Sequence, residues 1–246
     1  IDKLWPEVAV IASHEVCREW REYERTSTAV LSAYVLPTTY RYLSDLEGRM
    51  KEKGLKPRPV IMQPNGGIGT VQSTLSDPIT LVESGPASGM LGAAAIGRII
   101  GEENLIALDI GGTTAKCALI YQGNAQITTE YRIEWDRENP GYPIRTPVVD
   151  LVEIGNGGGS IAWVDQGGSM HVGPHSAGST PGPAAYGRGG EHATTTDANL
   201  LLGRINPDLF LGGSVKPAWQ NVEKAFAKLA ETVGGSIDDV ARGVIR

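Results

Sequence analysis

The stretch Leu105-Ile-Ala-Leu-Asp-Ile-Gly-Gly-Thr-Thr-Ala-Lys-Cys-Ala-Leu-Ile-Tyr121 constrains the fold more than any other part of the chain. An apolar run from Leu105 ends in the carboxylate of Asp109. Gly111, Gly112, Thr113 and Thr114 follow, and a second apolar run leads from Lys116 to Tyr121. Two short hydrophobic runs around a Gly-rich break predict a β-hairpin. Its chemistry gathers at the tip. Glycines let backbone N–H groups come close to an anion, and threonine hydroxyls donate to phosphate oxygens. A carboxylate such as Asp109 suits hydrated Mg²⁺, which keeps several waters and takes only one or two protein carboxylates. An ordinary hairpin with a Gly-Gly turn has the same composition, so the tip alone leaves both readings open.

The totals narrow the setting. A chain of 246 residues, 41% hydrophobic, has material for one large domain or two small ones with a real core. The net charge of −6, with no basic run longer than two residues, argues against a nucleic-acid or acidic-membrane binder. No apolar run approaches the roughly 20 residues of a membrane span, and the N-terminus lacks a signal-peptide pattern. Cys17 and Cys117 have neither CxxC spacing nor a disulfide framework, which points to a reducing, cytoplasmic setting. The absence of an initiator Met, and the start of a further element at Ala241–Arg246, lead us to expect a piece of a longer chain.

Before the hairpin, residues 13–56 read as helical, with Ser13 as a cap and Pro37 dividing two helices. Arg18, Glu19, Arg21, Glu22, Glu24 and Arg25 make a charged cluster suited to a solvated helix face or a docking surface. Pro59–Met62 and Ile79–Glu83 read as strands. Ser84-Gly-Pro then opens a small-residue helix to about Ile100, with Ser84 as its cap and an N-terminus suited to close packing or an anion. A strand, a helix and a hairpin in succession predict a mixed α/β sheet.

After the hairpin, Gln126–Trp135, Val148–Val152 and Ile161–Val164 read as strands. Gly157, Gly158, Gly159 and Ser160 offer unhindered donors to a phosphate or substrate. Fifteen of the 32 glycines lie between Gly155 and Gly213, and residues 166–192 read as a long functional or Ω-type loop. His171, His175 and His192 sit in that stretch, but with Asp197 their spacing fits no standard zinc pattern. Asp197 reads equally as the cap of a short apolar helix and as a carboxylate at the Gly-rich region. Pro217–Gly234 is an amphipathic helix with Val222, Ala225, Phe226, Leu229 and Val233 on one face.

Several motifs occur in one order: Arg21-Glu-Tyr-Glu-Arg-Thr-Ser-Thr28, Ser84-Gly-Pro-Ala-Ser-Gly89, Asp109-Ile-Gly-Gly-Thr113, Ile154-Gly-Asn-Gly-Gly-Gly-Ser-Ile161, Ser176-Ala-Gly-Ser-Thr-Pro-Gly-Pro183, Tyr186-Gly-Arg-Gly-Gly190 and Thr196-Asp-Ala-Asn199. Together they closely resemble the A-type subunit of the hydantoinase/oxoprolinase family over nearly the whole chain. The resemblance implies an actin-like (ribonuclease H-like) ATPase lobe at residues 58–246, with its Gly-rich block at 154–203, preceded by a helical segment at 1–57. It implies ATP with Mg²⁺ or another divalent metal, and phosphorylation of a cyclic amide to drive ring opening beside a B-type partner subunit. ATP-dependent ketone carboxylation, or a non-catalytic actin-like ATPase such as a reactivating chaperone, are the alternatives. On this reading Asp109, Lys116 and Asp197 are catalytic, with Asp109 also the metal carboxylate. Gly111–Thr114 and Gly157–Ser160 bind phosphate.

The chain departs from the family pattern in two places. The hairpin tip usually continues Thr-Ser-Thr-Asp, whereas Thr113-Thr-Ala-Lys116 stands here, which favours phosphate contact by a cation. Ala185 occupies a position often held by Cys, which excludes a thiol role there. An earlier Asp-x-Gly-Gly-Thr and a later adenosine-type Gly-Gly motif are absent, so this stretch corresponds to the lobe with the second phosphate loop and is expected to have little activity alone.

Overall fold

A computed structural model describes residues 3–5, 8–56, 58–134 and 138–246. The helices are α1 (Ser13–Val16), α2 (Glu22–Glu52), α3 (Val71–Ser76), α4 (Ser84–Ile100), α5 (Thr195–Leu201), α6 (Trp219–Val233) and α7 (Ile237–Ile245). The strands are β1 (Val60–Met62), β2 (Ile68–Thr70), β3 (Leu105–Ile110), β4 (Ala115–Tyr121), β5 (Asn124–Ala125), β6 (Ile127–Thr128), β7 (Tyr131–Ile133), β8 (Tyr142–Ile144), β9 (Val148–Val149), β10 (Val152–Ile154), β11 (Ser160–Val164) and β12 (Met170–Ser176). The fold is mixed α/β. Contacts divide it into one unit of Ile1–Ala107 with Ala118–Leu151, and another of Leu108–Cys117 with Val152–Arg246. Residue 57, where the sequence divides the helical segment from the lobe, lies outside the described residues.

In the first unit the long helix α2 is not divided at Pro37. Pro37 lies inside α2. Its ring removes one helical N–H, but Thr28, Ser32, Thr39 and Leu43 form a single buried stripe on both sides of it. That stripe packs against β8 and the 3₁₀ turn Pro78–Leu81, and tertiary burial outweighs the local break. The same turn replaces the strand expected at Ile79–Glu83. Ala12, not Ser13, precedes α1. Glu83, in a left-handed conformation at φ 54°, precedes α4 in place of the expected Ser84 cap. The strand expected over Gln126–Trp135 is divided into β6 and β7, and Trp135 lies outside the described residues. β9 and β10 likewise divide the strand expected at Val148–Val152.

One face of α4 serves packing, while Gly85, Gly89, Gly92 and Ala95 of its small-residue run are exposed. Ala87, Met90 and Ala94 bury themselves against Ala107, Ala118, Ile120 and Val149. Large side chains there would hold the helix farther from the strands.

The second unit contains the hairpin tip and a core of its own. Val222, Ala225, Phe226 and Leu229 of α6 pack with Val240, Ala241 and Val244 of α7 and with Ala184, Ala185, Ala198 and Leu200. Val233, expected on the buried face of α6, is exposed. The stretch 166–192, expected as a loop, contains β12, which pairs antiparallel with β11 and brings Ala162 opposite Val172 and Trp163 opposite His171. Its glycines and prolines concentrate after Ser176, where the chain does turn irregularly.

Candidate functional site

The hairpin forms as its sequence requires, with β3 and β4 as its arms. The Gly111 N–H donates to the Thr114 carbonyl at 2.9 Å and closes the tip over Gly112 and Thr113. Counting outward from that bond places Asp109 across from Lys116. Asp109, Gly111, Gly112 and Thr113 are exposed, and Thr114 and Lys116 are half-buried. No described residue accepts from the N–H groups of Gly112, Thr113 or Thr114. The tip therefore presents consecutive donors, two hydroxyls and a carboxylate to solvent, the composition of an anion cradle.

The neighbouring glycines support this tip from behind. Gly158 N–H donates to the Gly111 carbonyl at 2.9 Å, and Gly159 N–H to the Gly112 carbonyl at 2.6 Å. Gly157 N–H donates to the Ser160 hydroxyl at 2.8 Å. A Cβ on Gly157 would stand 2.7 Å from the Gly111 carbonyl oxygen and 2.8 Å from backbone atoms of Thr113; on Gly159 it would stand 2.8 Å from the Gly112 carbonyl oxygen. These glycines are required for close backbone approach. The Gly158 and Gly159 donors, expected from sequence to meet phosphate, go to the tip, the Gly157 donor goes to the Ser160 hydroxyl, and Ser160 is fully buried. A Gly-rich run permits close approach to backbone as readily as to a ligand.

Asp197 differs from the expected cap. It is not the cap of α5; Thr194 is, with Asp197 completing a reciprocal capping box. Its carboxylate is fully buried and accepts from Thr194 Oγ1 at 2.7 Å, Ala185 N–H at 2.8 Å, Thr194 N–H at 3.1 Å and Ala184 N–H at 3.2 Å. Burial pushes its pKa up, while these four donors pull it down. Three of these bonds fall on Oδ2 and one on Oδ1, and together they fix the corner between the Gly-Pro stretch and α5. The Thr-x-x-Asp spacing was the available signal.

Lys116 has a partner that the sequence reading missed. Glu153 stands directly opposite it on β10, with Oε1 3.7 Å from the ammonium. The alternation Val152-Glu-Ile154 marks Glu153 as lying on the opposite face from its neighbours, but its pairing register is a tertiary fact.

Among the described residues no group of three or more His, Cys, Asp or Glu side chains could hold a metal. His171 instead stacks on Trp163 with ring centroids 4.8 Å apart and meets Asp165 at 2.7 Å, which holds the Asp165 carboxyl below the usual range. His192 lines a 220 Å³ cleft with Trp163 and Lys228. At the tip, the exposed carboxylate of Asp109 fits a hydrated divalent cation carried with a phosphate, rather than a cage built by protein alone.

Residues 25–246 match the family model described as hydantoinase/oxoprolinase. The chain belongs to the hydantoinase/oxoprolinase family. It is 42% identical over its whole length to an uncharacterised protein of Methanocaldococcus jannaschii, covering 37% of that protein. It is 36% identical over 98% of its length to caprolactamase subunit alpha of Pseudomonas jessenii, covering 34% of that subunit. Its fold matches a chain of nucleotide-free acetone carboxylase, from a study of ATP-dependent acetone carboxylation, with a TM-score of 0.82 and 32% identity; the match covers 99% of this chain and 34% of that one. The chain thus spans about a third of the length of these relatives. Its mixed α/β fold is the one expected of a lobe from this family. Among the described residues no helix is long and apolar enough to cross a membrane.

Proposed function

We propose that this chain supplies a phosphate loop of an ATP-dependent amide hydrolase of the hydantoinase/oxoprolinase type. The observation carrying this reading is the exposed tip, where the N–H groups of Gly112, Thr113 and Thr114 have no acceptor among the described residues and Asp109 lies in the strand leading to them. Similarity to a caprolactamase subunit and to a chain of an ATP-dependent carboxylase supports nucleotide use.

An amide oxygen is a poor leaving group until it is phosphorylated, and phosphoryl transfer asks the protein mainly for positioning and charge neutralisation. In this reading the tip N–H groups and threonine hydroxyls orient the phosphates, and Lys116 lowers their negative charge. Asp109 would hold the water shell of Mg²⁺, which when bound neutralises the phosphate oxygens. The Gly157–Gly159 backbone keeps the tip rigid, so the donors are arranged before nucleotide arrives. A B-type subunit would complete ring opening in the cytoplasm.

Ketone carboxylation is the second reading, favoured by the fold match to acetone carboxylase. Both begin by phosphorylating a carbonyl-type oxygen and would use the same tip. Nucleotide titration of the complete gene product, followed by turnover assays with cyclic amides and with ketones plus bicarbonate, tests and separates them. Unchanged ATP affinity in Asp109→Ala/Lys116→Ala sinks the phosphate-loop reading. ATP turnover that ignores both substrate classes and responds only to a protein partner would instead support a reactivating chaperone.

A further inference from the structure

Two glycine-rich stretches of the second unit, residues 176–183 and 186–190, take no part in the hairpin tip itself, yet the backbone brings the first of them beside it. The Gly159 N–H donates to the Gly112 carbonyl at 2.6 Å, and the Ala177 N–H donates to the Gly159 carbonyl at 2.8 Å. The loop that follows β12 is therefore separated from the tip by the Gly159 backbone alone. Ser176 Oγ also lies 3.5 Å from the Gly112 carbonyl oxygen.

This loop has unused donors of its own. It turns at Gly178, where φ is 63°, and closes where the Gly182 N–H donates to the Ala177 carbonyl at 3.1 Å. Between those points the N–H groups of Ser179 and Thr180 have no acceptor among the described residues, and both residues are exposed. Consecutive backbone donors in a turn form an anion-binding concavity.

A cation is held against the same loop. Arg188 Nη1 lies 3.5 Å from the Ser179 carbonyl oxygen, and the guanidinium sits over the Tyr186 ring, 5.6 Å from its centroid. Tyr186 is fixed in turn by Phe210, with ring centroids 5.8 Å apart, and by Gly182, where a Cβ would stand 2.6 Å from the tyrosine ring. Among the described residues Arg188 makes no ion pair with a carboxylate, whereas Lys116 shares its charge with Glu153. A guanidinium fork without a carboxylate partner matches a pair of phosphate oxygens.

We propose that Arg188 and the Ser179 and Thr180 N–H groups form a second oxyanion subsite, which takes a phosphate dianion alongside nucleotide bound at the tip. The nucleotide as its neighbour rests on the phosphate-loop reading; the oxyanion subsite rests on the loop and Arg188 alone.

The test uses the complete gene product, with inorganic phosphate as the probe, titrated by phosphorus NMR with and without Mg²⁺-ADP. Wild type binds phosphate in both conditions. Arg188→Ala weakens that binding about tenfold or more, while ADP affinity stays within about twofold of wild type. Arg188→Lys keeps the charge, loses the fork and falls between the two. Arg188 is exposed, so both variants retain the wild-type melting curve. The proposal is overturned if wild type binds no phosphate, or if Arg188→Ala binds it as tightly as wild type. Phosphate that ADP displaces occupies the tip, and that result overturns it too. So does Arg188→Ala losing ADP and phosphate affinity together, or a variant that no longer melts like wild type, since Arg188 would then serve the tip or the fold. Failure of the phosphate-loop reading shows separately, as unchanged nucleotide affinity in Asp109→Ala/Lys116→Ala, and leaves the phosphate titration without nucleotide to decide the subsite.

Discussion

Two carboxylates, Asp109 and Asp197, stand beside glycine-rich sequence, and the structure treats them in opposite ways. Asp109 is exposed on a hairpin arm, opposite a lysine and next to backbone donors with no described acceptor. Asp197 is fully buried and takes four hydrogen bonds from its own unit. One retains the capacity to meet a ligand, and the other has used it in folding. The difference teaches that residue type and nearby glycines do not define a site; the remaining hydrogen-bonding capacity does.

The largest expected effect tests the folding side of this contrast. Asp197→Ala leaves buried donors of Thr194, Ala184 and Ala185 without an acceptor, at a cost of about 3–5 kcal/mol. Urea denaturation of the complete protein measures it. A loss below about 1 kcal/mol would show that Asp197 is not the corner's anchor.

Gly157→Ala comes next, because its methyl would meet immobile backbone at Gly111 and Thr113. It is expected to cost about 1–3 kcal/mol and to weaken ATP binding by displacing the tip. A stable variant with normal nucleotide affinity would break the link between the glycine run and the phosphate loop.

Asp77, in the first unit, sharpens the contrast from a third direction. One of its carboxylate oxygens is buried without a partner, and burial raises its pKa to about 6. Since the folded pKa lies above the unfolded value of 3.8, the folded chain binds the proton more tightly. Stability is therefore lost as pH rises from about 4 to 6. Asp77→Asn should gain about 1 kcal/mol at pH 7, after allowance for its partial exposure, and lose that advantage below pH 4. Thermal melts across that range measure it.

The smallest stability effect belongs to Asp109→Ala, expected within about 0.5 kcal/mol of wild type because the side chain is exposed. Isothermal titration should nevertheless show at least a roughly tenfold loss of Mg²⁺-ATP affinity, a deficit of about 1.4 kcal/mol. A variant that unfolds instead would erase the distinction between the two carboxylates.

Much of the fold was legible locally. The hairpin at 105–121 follows from two apolar runs around glycines, α4 from a helix-forming small-residue run, and α6 from its apolar stripe. Local rules failed where distant contacts outweighed them. Pro37 did not end α2, because the buried stripe continues past it. β12 was hidden in glycine-rich sequence, because pairing with β11 is what makes it a strand. At the site, the tip was visible as Asp-x-Gly-Gly-Thr, but Glu153 became visible only through the register of β10 on β4.

The sequence by itself determined the family, the mixed α/β class and the position of the exposed tip, since these rest on residue order, periodicity and turn chemistry. Only the tertiary structure decided which polar groups remain available. Gly157, Gly158, Gly159 and Asp197 have the composition of ligands, yet their hydrogen-bonding capacity is taken up by Gly111, Gly112, Ser160, Thr194, Ala184 and Ala185. The pairings of Gly158 with Gly111 and of Gly159 with Gly112 join residues far apart in the chain, and a buried polar group is held by whatever partner the fold brings within about 3 Å.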